Sequence, residues 1–146
     1  MKKYLFILLL SIPYFAFAQL EKPVKWSFYA KKVNPTEAII YIKAKMSGNW
    51  HIYAQNVKQD AMRLKFNYVT SKDYSLIGIT AEPKPIKKFD NVVKMELAYF
   101  EKEAIFTQKV KLLKPSVVVK TMVEFMACND KQCLPADEVS FNIPVK

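Results

Sequence analysis

Glycine is nearly missing from this chain. Gly48 and Gly78 are the only two in 146 residues. A Gly-rich loop that cradles phosphate has no place in such a sequence. Most turns must instead rest on Asn, Asp, Ser and Pro, which bend the chain through side-chain hydrogen bonds or a fixed φ. Arginine is as scarce, with Arg63 alone. Readers of nucleic acid exploit arginine's planar fork, so the net charge of +10 is not taken as a nucleic-acid surface. His51 is the single histidine. No serine–histidine nucleophile arrangement has support. With two cysteines His51 makes three metal ligands from distant segments, where structural zinc usually takes four. Two cysteines also cannot frame a disulfide-built miniprotein. The core must come from burial, and 51% hydrophobic residues can supply it. Neither an internal repeat, a low-complexity tract nor a convincing amphipathic helix is present. No cofactor is expected.

The N-terminus carries the first positive signal. Lys2 and Lys3 precede an apolar run from Tyr4 to Phe17, and Ala16-Phe17-Ala18 forms an A-x-A site. This reads as a secretory signal peptide over residues 1–18, cleaved between Ala18 and Gln19. No later segment nears the ~20 apolar residues of a spanning helix. The expected product is one exported domain over residues 19–146, not itself membrane-spanning. Losing Lys2 and Lys3 lowers the charge from +10 to +8. The lysines are spread along the polar faces of strands, where they keep edges from mispairing.

The rest of the chain alternates with a period of two, the signature of half-buried strands. Val24, Trp26, Phe28 and Ala30 mark the first, broken at Asn34-Pro35. Ala38, Ile40, Ile42 and Ala44 share a face of residues 37–46, and Ser47-Gly48-Asn49 turns the chain. A short aromatic strand follows over 50–55. Met62, Leu64, Phe66 and Tyr68 give the cleanest alternation, and 74–80 a weaker one. Pro83 and Pro85 lack backbone donors, so that stretch is expected to be an exposed loop running toward Phe89-Asp90-Asn91. Strands are expected at 93–100, 104–113 and 117–127, with a last one through Val139, Phe141 and Ile143. Eight or nine strands at this spacing predict an all-β antiparallel sandwich.

Both cysteines lie in Met126-Ala127-Cys128-Asn129-Asp130-Lys131-Gln132-Cys133-Leu134-Pro135. A hairpin can bring their Cα atoms into the roughly 4.4–6.8 Å range of a disulfide. So short a ring stabilises by only about 2 kcal/mol on the chain-entropy model, against nearly 5 for a long loop. Spacing alone leaves a structural staple and a redox pair equally open. Phe125 and Ala127 point coreward by parity. Cys128 is therefore expected at a strand end, outside the main core, within reach of another protein.

Those ten residues, with the strand ending Val139-Ser140-Phe141-Asn142-Ile143, resemble the N-terminal periplasmic domain of the thiol:disulfide interchange protein DsbD. Gly48-Asn49-Trp50-His51-Ile52-Tyr53-Ala54-Gln55 is similar to that family's Trp-His-(aliphatic)-Tyr-(small)-Gln segment. Met95-Glu96-Leu97-Ala98-Tyr99-Phe100 and Phe106-Thr107-Gln108-Lys109-Val110 are similar to stretches of its stand-alone members. The likeness spans nearly all of the mature chain. It implies an immunoglobulin-like fold, a periplasmic location and a relay of electrons to thioredoxin-like proteins such as disulfide isomerases or cytochrome c maturation factors. By position, Cys133 matches the cysteine that joins partners in a mixed disulfide, and Cys128 the one that resolves it.

The resemblance also implies an aromatic cap over the cysteines near residues 89–93, where Phe89 is the one aromatic. Phe89, Asp90, Leu134 and Pro135 are the expected cap or partner surface. Ala136 stands where many members carry a second proline. No transmembrane or thioredoxin-like segment follows as far as Lys146, so a membrane electron donor and the acceptor are expected to be separate chains. A thiol:disulfide oxidoreductase relay thus leads. The alternative is an exported immunoglobulin-like binding or assembly domain with a purely structural disulfide. His51, Trp50 and Tyr53 are read as packing residues first.

Overall fold

Every second residue from Ala38 to Met46 is buried, as the sequence alternation requires of a strand with one dry face. The computed structural model describes residues 22–90 and 94–146. The expected signal peptide, its cleavage site at Ala18/Gln19 and residues 91–93 of the expected cap lie outside these.

The strands are β1 (Val24–Asn34), β2 (Glu37–Met46), β3 (His51–Tyr53), β4 (Lys65–Tyr68), β5 (Tyr74–Ala81), β6 (Ile86–Asp90), β7 (Met95–Glu101), β8 (Glu103–Leu112), β9 (Val117–Phe125), β10 (Ala127–Cys128) and β11 (Asp137–Val145). They form three antiparallel sheets, ordered β1-β2-β8-β5, β10-β3-β7-β6 and β11-β9-β4. The all-β antiparallel sandwich expected from the alternation is what forms.

The core draws on all three sheets. Ile40, Ile42, Phe106 and Val110 of the first face Ile52 and Phe100 of the second and Val119, Val123 and Ile143 of the third. Aromatic rings close the gap between layers. Trp26 lies 5.1 Å from Phe125, Phe28 5.3 Å from Phe141, and Phe66 5.1 Å from Phe106. Among the described residues three polar side chains are buried with them, Thr80, Gln108 and Thr121. Gln108 accepts from Thr80 Oγ1 at 3.0 Å and donates to the Lys109 carbonyl at 2.8 Å and the Ile77 carbonyl at 3.2 Å. Satisfied in this way, it fills the bulge where the β5–β8 register slips between Ile77 and Ala81. Gly78 there has φ +68°, a conformation that costs glycine little.

Four expectations are corrected. Strands number eleven among the described residues, not eight or nine. Met62 ends a 3-10 turn (Asp60–Met62), and β4 starts only at Lys65. Residues 86–90, expected as loop, form β6. It is an edge strand, and an edge tolerates neighbouring prolines because its outer side needs no donors. The expected strand over 117–127 is split at Met126, and its two parts join different sheets. That split places the cysteines.

Candidate functional site

Phe125 and Ala127 both enter the main core, so the chain passes from β9 to β10 without losing parity. Cys128 then points the other way. It opens a tight hairpin whose return arm is Cys133. Leu134 N–H donates to the Ala127 carbonyl at 2.8 Å, and Asn129 N–H to the Gln132 carbonyl at 2.9 Å. These bonds bracket the cysteines, which makes them a non-hydrogen-bonded pair, the closer of the two antiparallel spacings. Their Cα atoms are 4.0 Å apart and the sulfurs are bonded. At the tip, Asn129 Oδ1 accepts from the N–H groups of Lys131 and Gln132, each at 2.9 Å. The hairpin therefore has its own hydrogen bonds, separate from the S–S link.

The two cysteines differ in access. Cys133 is exposed, whereas Cys128 is only 1% exposed. Cys128 does stand outside the main core, as parity predicts, but the expected access to it is not there. Tyr53, Val57 and Leu97 bury it in a second apolar cluster, with Met62, Met95, Tyr99 and Met126 packed around them. The cover is residues 54–64, which carry the chain from β3 across to β4. Arg63 pins this segment, its Nε and Nη2 both donating to the Val57 carbonyl at 3.2 and 3.0 Å. Gln55 anchors the start, donating from its backbone N–H to Glu82 Oε2 at 2.9 Å and from Nε2 to the Thr80 carbonyl at 3.0 Å.

On the other side of β10, Cys128 pairs with His51 of β3, which in turn pairs with Glu101 of β7. The three form one row on the outer face of the sheet. The His51 ring lies 4.8 Å from Tyr99 and meets Tyr53 edge-on at 5.5 Å. Burial holds its pKa below the usual 6.5, and Lys88 adds to that, while Glu101 and Asp130 pull the other way. The ring is thus neutral near neutral pH.

The family model for the N-terminal region of the thiol:disulfide interchange protein DsbD matches residues 18–144. This chain belongs to the DsbD N-terminal family. Three solved structures share the fold. The N-terminal periplasmic domain of ScsB from Proteus mirabilis superposes with a TM-score of 0.61 at 14% identity, over 84% of this chain and 46% of that one. This chain thus spans less than half of the ScsB chain. The Neisseria meningitidis DsbD N-terminal domain in its reduced form gives 0.54 at 13% identity, over 80% and 82%. The same domain in its complex with the PilB N-terminal domain gives 0.52 at 12%, over 79% and 80%. No curated protein matches. The immunoglobulin-like sandwich inferred from the sequence is the fold of this DsbD N-terminal domain.

Within that domain, the structure gathers some of the expected residues and separates others. Leu134 is half-buried against the main core, and Pro135 is exposed. Both line a groove of about 520 Å³ with Val24, Trp26, Phe125 and Val139, beside Cys133. Phe89 is elsewhere. In the β6–β7 register it pairs with Glu96, while Lys88 pairs with Leu97. Leu97 covers Cys128, so the pleat puts Lys88 on the Cys128 face and Phe89 on the opposite one, 56% exposed. Asp90 ends β6, paired with Met95. Among the described residues, no three His, Cys, Asp or Glu side chains converge as metal ligands. Nor is any helix long and apolar enough to cross a membrane.

Sequence reasoning read His51 as a packing residue before a base for the thiol, and it passed over Val57 and Arg63 as parts of this site. The signal for His51 was its place in the Trp-His-Ile-Tyr segment. Nothing in the sequence pairs that segment with Cys128. For Val57 the cue was weaker still, a stretch with neither helical nor strand period, and Arg63 stood as a polar position of the strand expected from Met62 to Tyr68.

Proposed function

We propose that this domain is a periplasmic electron relay that exchanges its Cys128–Cys133 disulfide with thioredoxin-like proteins. Cys133 forms the mixed disulfide and Cys128 resolves it. The observation that carries this reading is the unequal exposure of the two cysteines within one self-bonded hairpin. Cys133 is exposed and Cys128 buried, which supports Cys133 as the point of first attack, since exchange runs through attack on one sulfur of the pair. The hairpin's backbone hydrogen bonds let the S–S link open without dismantling the strand pairing around it. The Neisseria domain, known in a reduced form and in a complex with a PilB domain, supports the same reading.

The N-terminal sequence supports export, with residues 1–18 as leader and 19–146 as the working domain. The donor is a separate membrane-linked reductant, and the acceptors include disulfide isomerases or cytochrome c maturation factors. Leu134 and Pro135 offer the partner its first contact next to Cys133. Phe89 and Asp90 complete the expected cap or partner surface.

A Cys128→Ser variant, expressed in the periplasm, is expected to accumulate mixed disulfides through Cys133. Cys133→Ser is expected to trap none, and a failure of the first variant to trap any thioredoxin-like protein sinks the relay. The second reading, an exported binding domain with a structural disulfide, draws on the burial of Cys128. A reduction potential below about −300 mV would favour it.

A further inference from the structure

We propose that His51 takes the proton from the Cys128 thiol when Cys128 resolves the mixed disulfide. This rests on the interchange reading above and adds a residue to it.

Ala127 and Asn129 turn their backbone groups toward the hairpin's return arm. Cys128, between them, therefore turns its own N–H and C=O toward β3, where His51 is its partner. Opposed residues of an antiparallel pair put their side chains on the same face, with Cβ atoms about 4.5–5.5 Å apart. His51 and Cys128 are neighbours by construction of the sheet, not by a chance rotamer.

The surroundings then define what each group can do. The attacking species in exchange is the thiolate. Tyr53, Val57 and Leu97 close over Cys128 and leave it little water to take a proton. His51, its partner across the ladder, is a group able to accept one. The groups facing it are Cys128 and Asp130 from the hairpin, Glu101 and Tyr99 from β7, Lys88 from β6 and Tyr53 on its own strand. Two of these are carboxylates positioned to stabilise an imidazolium once it forms. A neutral base that gains a stabilised charge is the arrangement general-base catalysis needs.

The step balances. In the mixed disulfide, Cys133 Sγ is bonded to the partner's sulfur and Cys128 is a thiol. The Cys128 proton moves to the imidazole. Cys128 Sγ attacks Cys133 Sγ, the bond to the partner's sulfur breaks, and that sulfur leaves as a thiolate. The domain's dithiol has become a disulfide, and the partner's disulfide has been reduced. His51 then returns its proton to solvent or to the departing thiolate. In the reverse direction the imidazolium protonates Cys128 as it leaves.

The test uses the full mature domain, reduced, with the aromatic disulfide DTNB. Attack by Cys133 releases one coloured thiolate. Resolution by Cys128 releases a second, and this phase reads the proposed step alone. His51→Gln is expected to slow the second phase at least about tenfold near pH 7, within the usual range for a lost general base. The first phase is expected to change by less than about twofold, because Cys133 is exposed and lies outside the His51–Cys128 pairing.

The pH profile separates a base from a packing residue. In the wild type the second phase falls only as His51 becomes protonated, below its ordinary 6.5. In the variant it climbs about tenfold per pH unit toward the thiol range near 8.5, and the two curves converge there. An unchanged second phase with an unchanged profile overturns the proposal. Should His51→Gln fail to fold, His51→Asn serves for the same comparison. Whether thioredoxin reduces the wild-type disulfide is measured separately. If it does not, the relay reading fails while the DTNB result still decides the role of His51.

Discussion

The two outer faces of this sandwich come from strands with the same period-two alternation, yet one is wet and the other largely dry. On the β1-β2-β8-β5 sheet the registers align Lys25 with Lys45, Tyr29 with Tyr41, and Ile39 with Lys109. That face meets water. Ile79 is 90% exposed, Tyr29 stacks on Tyr41 at 4.3 Å, and Lys43 pairs with Glu103 at 2.7 Å. On the β10-β3-β7-β6 sheet the corresponding positions hold Cys128, His51, Tyr53 and Leu97. There residues 54–64 fold back over the strands and make a second apolar cluster. The pleat decides which side a residue takes. An irregular segment elsewhere in the chain decides whether that side is dry.

The largest effect expected from this contrast comes from opening the dry face. Leu97→Ala removes a side chain that is 8% exposed and packs over Cys128. A loss of about 2–3 kcal/mol in urea denaturation is expected, from transfer and cavity terms together. Ile79→Ala on the wet face is expected to stay within about 0.5 kcal/mol. In the reduced protein, Leu97→Ala is also expected to hasten alkylation of Cys128. Equal losses at the two positions would erase the distinction between the faces.

The contrast also marks where the sequence stops being legible. Ala38, Ile40, Ile42 and Ala44 announce their strand because alternation is a local property, and they are buried as expected. The same holds for Phe141 and Ile143 of β11. β6 was hidden because Ile86-Lys87-Lys88-Phe89-Asp90 follows two prolines and lacks clean alternation, and edge pairing with β7 imposes the strand from outside. Met62 misled in the opposite way. It extends the alternation of Leu64 and Phe66 into a segment that turns as a 3-10 helix.

At the site, the two cysteines and their place at a strand end were readable from spacing and parity. The burial of Cys128 was not, since its cover comes from Val57 and Leu97, far off in sequence. The nearness of His51 depends on β10 joining β3 across the sheet. That is a long-range pairing with no local signature.

A middle-sized effect is expected at the only arginine. Arg63 holds the cover by donating twice to one carbonyl, that of Val57. Lysine keeps the charge but not the fork. Arg63→Lys is expected to cost about 1–2 kcal/mol, in line with hydrogen bonds from a charged donor. The loss should be concentrated in residues 55–62, where amide hydrogen exchange is expected to quicken while β2 and β8 keep their protection. Faster exchange across the whole sandwich would mean that the cover and the main core unfold as one unit.

The smallest effect is expected on the wet face, and it is informative because the geometry there looks favourable. Lys43 Nζ sits 2.7 Å from Glu103 Oε2, with both side chains more than a third exposed. Water already solvates both charges, and holding two long side chains in one arrangement costs rotamer entropy. Such pairs are worth about 0–1 kcal/mol, less in salt. Lys43→Ala is therefore expected to shift stability by under about 1 kcal/mol and to leave the exchange rate of the disulfide unchanged. If it altered that rate instead, the lysine-bearing sheet would be coupled to the hairpin, and the division of the domain into a solvated face and a redox face would be wrong.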